Sequence, residues 1–502
     1  MEETTPAAVE DVEPDQWRRL HGLSPLLNAW AAIAALFSIV ALNNIQTLSE
    51  LPWDEMVASR GWLFVLAIIA GGLLVIAIGL GAYSWLAWSR CAYAVTDEAV
   101  WYREGILFRK QRMARLERIQ AVDTLHPILG RLLGLGKISV EVAGGSGSSI
   151  DFGYLKKNDL ETLRAEIMRS AALAAEGDNP EHLPPTAATG RPIFHVSWKQ
   201  LAASVLFSAQ FAWAFLMLIF GVAAAVIMLA TGIDGVWGVL ATAPLFLVGL
   251  VVIGNQFGSE FNFRAYLVPQ GIRVTRGLLD TRSQVIPPRR VHAVQISQPL
   301  MWRLFGWYRV TMNQAGYGLA GGSDSEVLLP VGTREQAQLA LWLVLPDLGV
   351  DDPIAFLDEV LDGTGPTPGF VSLPRRSRWL SPWCWRRRAL ALTDTCMVIR
   401  DGRLTRLVKF APYGRFQSLT AAQGPLQRAL GLATLRADHV PGLVALEVEN
   451  LDPADAAAAL RQLNQRAADV RYQESPRRWR ERIETVPELG PQPDRELQGV
   501  ED

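Results

Sequence analysis

The chain has 502 residues, three cysteines, and 48 basic against 50 acidic side chains, for a net charge of −2. At about 100–200 residues per domain this length allows two to four domains, and a slightly acidic sum argues against a nucleic-acid binder. Cys91, Cys384 and Cys396 are odd in number and widely spaced, which excludes a disulfide framework or zinc knuckle and suits a reducing compartment.

The first 24 residues are acidic and Pro-containing, without the basic start and apolar core of a signal peptide, and read as a flexible tail. Residues 25–90 hold two apolar stretches, Leu26 to Leu42 and the charge-free Trp62 to Trp88. A bilayer core of about 30 Å takes about 20 helical residues, so both are expected to span it as a first hairpin. Residues 91–175 switch to short runs rich in aromatic and β-branched residues (91–97, 99–105, 106–113), read as strands, and close with helical periodicity from Asn158. A linker at 176–198 leads to a second expected hairpin, 199–260, whose two charge-free arms meet at the tight turn 231–235. A second strand-rich domain follows at 261–346, ending in a helix that Thr333 and Gln336 open as a capping box. Residues 347–385 read as a linker. Its basic and aromatic end, RRSRWLSPWCWRRR at 375–388, is too short to span a bilayer but suits its interface. The third domain, 386–468, closes with a helix from Asp452, and 469–502 reads as a second flexible tail.

The three strand-rich domains are copies of one unit. In each, a Gly closes a turn, an Arg follows 13 positions later, and 13 further on a second Arg opens Arg-x-x-Gly. The anchors are Gly105, Arg118, Arg131 and Gly134; Gly277, Arg290, Arg303 and Gly306; and Gly402, Arg415, Arg428 and Gly431. Identical spacing three times over marks an internal repeat. The first two copies lie 172 residues apart and the last two 125, so the third lacks about the length of one hairpin. Each unit is expected to be an antiparallel sheet of six or seven strands with a C-terminal helix.

Flanking charge predicts orientation. The loops after the first and third spans carry Glu50, Asp54, Glu55, Asp234 and the single base Arg60, whereas the other flanks carry Arg18, Arg19, Arg90, Arg103, Arg191, Lys199 and Arg264. Basic flanks stay in the cytoplasm, so both termini and all three domains are expected there.

The hairpin followed by a unit with RIQAV…PILGRLLGLG at 118–136, and the copies of that unit, resembles the bacterial pleckstrin-homology-like (PH-like) domain of YdbS/YdbT-type membrane proteins. The second copy departs from it at His292 and the third at Phe416 and Pro425. The resemblance implies a membrane α plus α+β protein of the bacterial inner membrane: four transmembrane helices in two hairpins, and three cytoplasmic β-sandwich units each capped by a C-terminal helix. It implies no established enzymatic activity.

The residues agree with a non-enzyme. The six histidines are scattered without the i, i+4 spacing of a metal helix, and there is no nucleophile elbow or Walker loop. The Gly-rich runs 144–149 and 316–325 open no helix and read as hairpin loops. No cofactor, metal or nucleic acid is expected. The remaining signal is basic: Arg109, Lys110, Arg112 and Arg115 in the first domain, and Arg386, Arg387 and Arg388 before the third, are candidate contacts for anionic lipid. Arg118, Arg290 and Arg415 are expected to serve the fold. The favoured function is a scaffold or regulatory interaction protein with membrane or cytosolic protein partners; the alternatives are a lipid-binding or lipid-handling accessory protein and, after it, a membrane enzyme.

Overall fold

A computed structural model of the full chain describes residues 14–24, 62–105, 110–116, 119–142, 150–176, 190–231, 235–268, 271–315 and 326–470. The chain divides into two compact units, 1–143 with 148–186 and 144–147 with 187–502. The first holds one copy of the repeat and the second holds two.

Each copy is a module of a four-stranded front sheet, a back sheet and a C-terminal helix. In module one the front sheet runs β1 (Arg18–Arg19), β2 (Ala92–Val95), β3 (Ala99–Glu104) and β4 (Lys110–Arg115), all antiparallel and in that order. The back sheet pairs β5 (Ile119–His126) with β6 (Leu135–Val142), and β6 with the short β7 (Ile150–Asp151) and β8 (Leu155–Lys156). Between β1 and β2 lies helix α1 (Trp62–Ser89); a one-turn helix α2 (Ile128–Leu132) joins β5 to β6, and α3 (Lys157–Glu176) closes the module. Leu160, Leu163 and Ile167 of α3 fall at helical spacing and pack on Val100, Ala114, Ile138 and Val140, which alternate along the strands.

Module two repeats this plan. Its front sheet is β9 (Arg191–His195), β10 (Arg264–Val268), β11 (Gly271–Arg276) and β12 (Thr281–Ile286). Helices α4 (Trp198–Leu206), α5 (Ala209–Ala230) and α6 (Gly235–Glu260) lie between β9 and β10. The back sheet is β13 (Val291–Gln298), β14 (Tyr308–Gln314) and β15 (Val327–Gly332), and α7 (Arg334–Val344) closes it. The expected capping box is present: the Thr333 amide donates to Gln336 Oε1 at 3.0 Å, and the Gln336 amide to Thr333 Oγ1 at 3.4 Å.

Module three follows helix α8 (Pro353–Asp362). Its front sheet is β16 (Phe370–Ser372), β17 (Ala389–Leu392), β18 (Cys396–Asp401) and β19 (Arg406–Pro412). Its back sheet is β20 (Ser418–Ala422) and, after the one-turn helix α9 (Pro425–Ala429), β21 (Ala433–Asp438) and β22 (Leu446–Leu451); α10 (Pro453–Val470) closes the module.

The domain boundaries expected from sequence shift at three places, for one reason. The outermost front strand of every module precedes the segment that sequence reading takes as the start: β1 falls in the expected tail and β9 and β16 in expected linkers. These strands have two, five and three residues, too few to show a period, and they become visible only when paired. The apolar stretches are therefore inserted in the chain between the first and second front strands. The 347–385 stretch is not a linker either, because Leu357, Val360 and Leu361 of α8 are core residues.

The first expected span, 26–42, lies outside the described residues, as do the two Gly-rich runs. Among the described residues, Ala209–Met228 is long and apolar enough to cross a membrane, with a mean hydropathy of 2.5; all of α5 at 1.5 Å per residue is about 33 Å long. The segments expected as second and fourth spans are the continuous helices α1 and α6, of 28 and 26 residues. Helices α5 and α6 approach closely: a Cβ added at Gly249 would stand 3.0 Å from the Ala214 methyl.

Candidate functional site

The glycine anchors occupy matching positions. Gly105, Gly277 and Gly402 turn the chain between the third and fourth front strands with φ of 108°, 117° and 74°. Gly134, Gly306 and Gly431, with φ of 69°, 63° and 60°, end the helical turn that leads into the second back strand. A side chain is strained in this left-handed region, which explains why glycine stands there in each copy.

The arginine anchors explain more than their own module. In the second unit β13 of module two pairs antiparallel with β19 of module three, from Val294↔Phe410 to Gln298↔Arg406, so two modules share one seven-stranded sheet. Arg303 lies in the helical turn before Gly306, and its guanidinium donates to the carbonyls of Arg403 and, at 2.9 Å, Leu404, in the turn that Gly402 opens. One anchor of module two thus grips the turn marked by an anchor of module three. The seam continues at Asn313, whose side chain accepts from the Val444 amide and donates to its carbonyl, both at 2.8 Å, and at Glu326, which accepts from the Leu443 amide at 2.7 Å. His292 Nδ1 donates to the Arg415 carbonyl at 3.3 Å, which places the proton of the neutral ring on Nδ1. Burial, with the nearby Arg415 charge, lowers the His292 pKa to about 4. Sequence reading treats His292 as a departure from the pattern and misses the seam, because strand pairing between copies leaves no spacing signal.

The basic candidates separate into two groups. Lys110, Arg112 and Arg115 are exposed on β4, with Arg112 3.7 Å from Glu104; Arg109 and Arg118 lie outside the described residues. Arg386, Arg387 and Arg388 do not form one exposed run. Arg387 is buried and donates to the carbonyls of Leu361, Gly363 and Val360 at 2.6, 2.8 and 3.4 Å, filling the acceptors at the C-terminal end of α8. Burial and three neighbouring arginines lower its pKa to about 10. Arg388 pairs with Asp401 at 3.0 Å and Glu449 at 2.7 Å. Only Arg386 of the three is exposed, lying over the Trp385 ring. The expectation of a lipid-facing triplet is corrected accordingly: consecutive side chains in a turn point in different directions, and a buried helix end captures Arg387 while two carboxylates hold Arg388.

The segment between β16 and β17 occupies the position that the helical insertions hold in modules one and two. It is fastened to module three by Ser377 Oγ on the Asn450 carbonyl at 2.6 Å, Asn450 Nδ2 on Ser381 Oγ at 2.9 Å, and Arg376 on the Gly431 carbonyl at 2.8 Å. Trp379 and Trp383 nevertheless project into solvent, 70% and 65% exposed, beside the exposed Arg375, Arg378 and Arg386. Trp379 and Trp383 thus face outward while other parts of the segment hold the module.

Among the described residues no cluster of three or more His, Cys, Asp or Glu side chains is placed to hold a metal ion. Cys91, Cys384 and Cys396 are free thiols, and burial pushes the Cys396 thiol up to about 11.

Comparison with known proteins agrees with this architecture. A segment of the chain is 24% identical over 329 residues to the UPF0699 transmembrane protein YdbT of Bacillus subtilis (strain 168), covering 60% of this chain and 63% of that relative, so the match spans less than two thirds of the relative's length. No solved structure matches the chain. The family model for the bacterial PH domain matches at 38–171, 206–344 and 367–467, once for each module. With the matches covering most of its length and the module plan found three times over, the chain belongs to the bacterial PH domain family.

Proposed function

We propose that this protein is a membrane-held scaffold that presents serial PH-like modules to the cytosol as docking surfaces for other proteins. One observation carries the reading: in every module the chain leaves the front sheet after its first strand and returns at the second, and each excursion suits a membrane. It is helical and apolar in modules one and two, and aromatic and basic in module three. Each module is attached at the same corner, and modules two and three, sharing a sheet, present one surface of fixed orientation. Two hairpins of two spans each, with both termini on the cytoplasmic side of a bacterial inner membrane, follow from the flanking charges; the name of the relative YdbT, a transmembrane protein, is in keeping. Photo-crosslinking residues placed singly at exposed module positions in the full-length protein test it. Discrete adducts with another protein, formed from module positions and not from the 469–502 segment, are expected. Absence of any adduct from all three modules would overturn the scaffold reading.

A second reading rests on Trp379 and Trp383, whose exposure beside Arg375, Arg378 and Arg386 suits an anionic lipid surface. In full-length protein with Cys91 replaced by Ser, a fluorophore on Cys384 should be quenched by spin-labelled lipid in liposomes containing anionic lipid. Replacing both tryptophans by Ser should remove that quenching. Equal signals before and after the replacement would end this reading.

A further inference from the structure

We infer that copies of this chain join head to tail, β4 of one copy adding to the open edge of β20 in the next; the inference rests on the scaffold reading and names a second copy as one of its partners. The template lies inside the molecule. Counted from the repeated arginines Arg118, Arg290 and Arg415, β4, β12 and β19 are one strand in three copies, and so are β5, β13 and β20. Module two offers its β13 to the β19 of module three, and this edge-to-edge ladder is the joint between them. The same two kinds of strand stand at open edges elsewhere: β4 is outermost in the front sheet of module one, and β20 is outermost in the back sheet of module three.

Exposure follows the same logic. Phe410 of β19, covered by β13, is fully buried, whereas its counterpart Met113 in β4 is 46% exposed. Val294 and Ile296 of β13 are buried, but their counterparts Leu419 and Ala421 in β20 are half-buried and exposed. β20 also lacks the usual guards of an open edge. Its sequence, SLTAA, holds no charge or proline, and its pairing with β21 runs from Ser418↔Asp438 to Ala422↔Thr434 without a bulge. Natural sheets seldom leave such an edge uncovered, because its free amide and carbonyl groups template another strand.

A second contact of the joint is also left open. Arg303, which grips the turn after Gly402, has Arg428 as its counterpart in module three; Arg428 is exposed, and its guanidinium has no partner among the described residues. The basic residues of β4 are compatible with pairing, since β19 carries Arg406 and Lys409 in the same role. Arg406 reaches Gln298 Oε1 across the ladder at 3.4 Å, and Lys409 donates to the Ala445 carbonyl at 2.7 Å. Those charges instead oppose β4 meeting a second β4, where Lys and Arg would face each other. The joint is therefore heterologous, and repetition of it makes a chain rather than a closed pair.

The template sets the register: Gln295↔Lys409 and Ile296↔Val408 translate to Thr420↔Arg112 and Ala421↔Gln111. Opposed residues of an antiparallel pair have Cβ atoms about 4.5–5.5 Å apart, within disulfide reach. Two differently tagged full-length copies, with Cys91 and Cys384 replaced by Ser, would be co-expressed, one bearing Gln111→Cys and the other Ala421→Cys. Mild oxidation should yield a mixed dimer, and a single chain bearing both substitutions should yield a ladder of multimers. Gln111→Cys mixed with Glu447→Cys, on the strand at the far side of the same sheet, should stay monomeric. Ser297→Cys with Leu407→Cys within one chain reports the internal joint. If that internal disulfide forms while the mixed dimer does not, the head-to-tail inference fails and the scaffold reading stands. Equal crosslinking of the Glu447→Cys control, or a monomeric internal link in the doubly substituted chain, would also overturn the inference.

Discussion

At the scale of single residues, the charged groups that look most available in the sequence are among the most committed in the fold. Arg400 is fully buried: its Nε donates to the Arg387 carbonyl at 3.0 Å, Nη1 to Glu359 Oε1 at 2.9 Å, and Nη2 to the Gly365 carbonyl at 2.9 Å. An Arg400→Met variant retains much of the volume but leaves those acceptors without a donor, at a cost of about 3 kcal/mol. Denaturant unfolding of the full-length protein in detergent, followed by a probe in module three, should register that loss. His292 supplies a pH dependence. Its folded pKa of about 4 lies below the ordinary value near ~6.5, so the unfolded chain takes up a proton first as pH falls. Stability is complete above the ordinary value, declines as pH falls toward the folded value, and declines no further below it. His439, also lowered by burial, adds to the same loss. Glu326 acts with the opposite sign, because burial raises its pKa and its contribution is lost as pH rises. Melting curves across this range should show a shallower acid loss for His292→Gln than for the parent chain. None of these environments is legible in the sequence, where a lone histidine and a run of arginines look like surface residues.

At the scale of elements, the helices that enter and leave the sheets are tied to them by polar contacts. Glu260, at the end of α6, is buried and paired with Arg309 of β14, with one oxygen 3.1 Å from Nη1. On the entry side, the Trp302 indole donates to the Ser204 carbonyl of α4 at 3.0 Å. Removing one partner of a buried ion pair strands the other charge, so Arg309→Ala is expected to destabilise module two by about 3–5 kcal/mol. The double variant Arg309→Met, Glu260→Gln should recover much of it. A thermal-shift series on these variants in detergent checks both, and a double variant as unstable as the single one would reject the pairing argument. The helix starts were legible in the sequence, since capping chemistry is local: Thr333 and Gln336 form their box, and Asp452 accepts from the Ala454 amide at 3.0 Å. The short strands β1, β9 and β16 were not, because two to five residues become a strand only through a partner about 20 to 75 residues away, beyond the reach of any local pattern.

At the scale of the whole molecule, the proposed orientation gives a labelling test. A cysteine introduced in the 49–61 loop should react from outside intact cells with a membrane-impermeant thiol reagent, whereas Asp394→Cys, at a side chain 87% exposed, should react only after lysis. Cys396 is unsuited as the inner reporter, since it is fully buried with its thiol held protonated. Labelling of Asp394→Cys in intact cells would reverse the orientation. The sequence by itself determined the threefold repeat, the turn glycines, the helical ends of the modules and the apolar stretches, because each depends on spacing along the chain or on local backbone chemistry. Only the tertiary structure decided that the apolar hairpin of module two is inserted within its front sheet, that Arg387 and Arg388 turn inward, and that β13 and β19 join two modules into one sheet. Those outcomes depend on which edges and helix ends meet in space. A strand shows its own alternation in sequence, but its neighbour is chosen by hydrogen bonds and burial between segments more than a hundred residues apart.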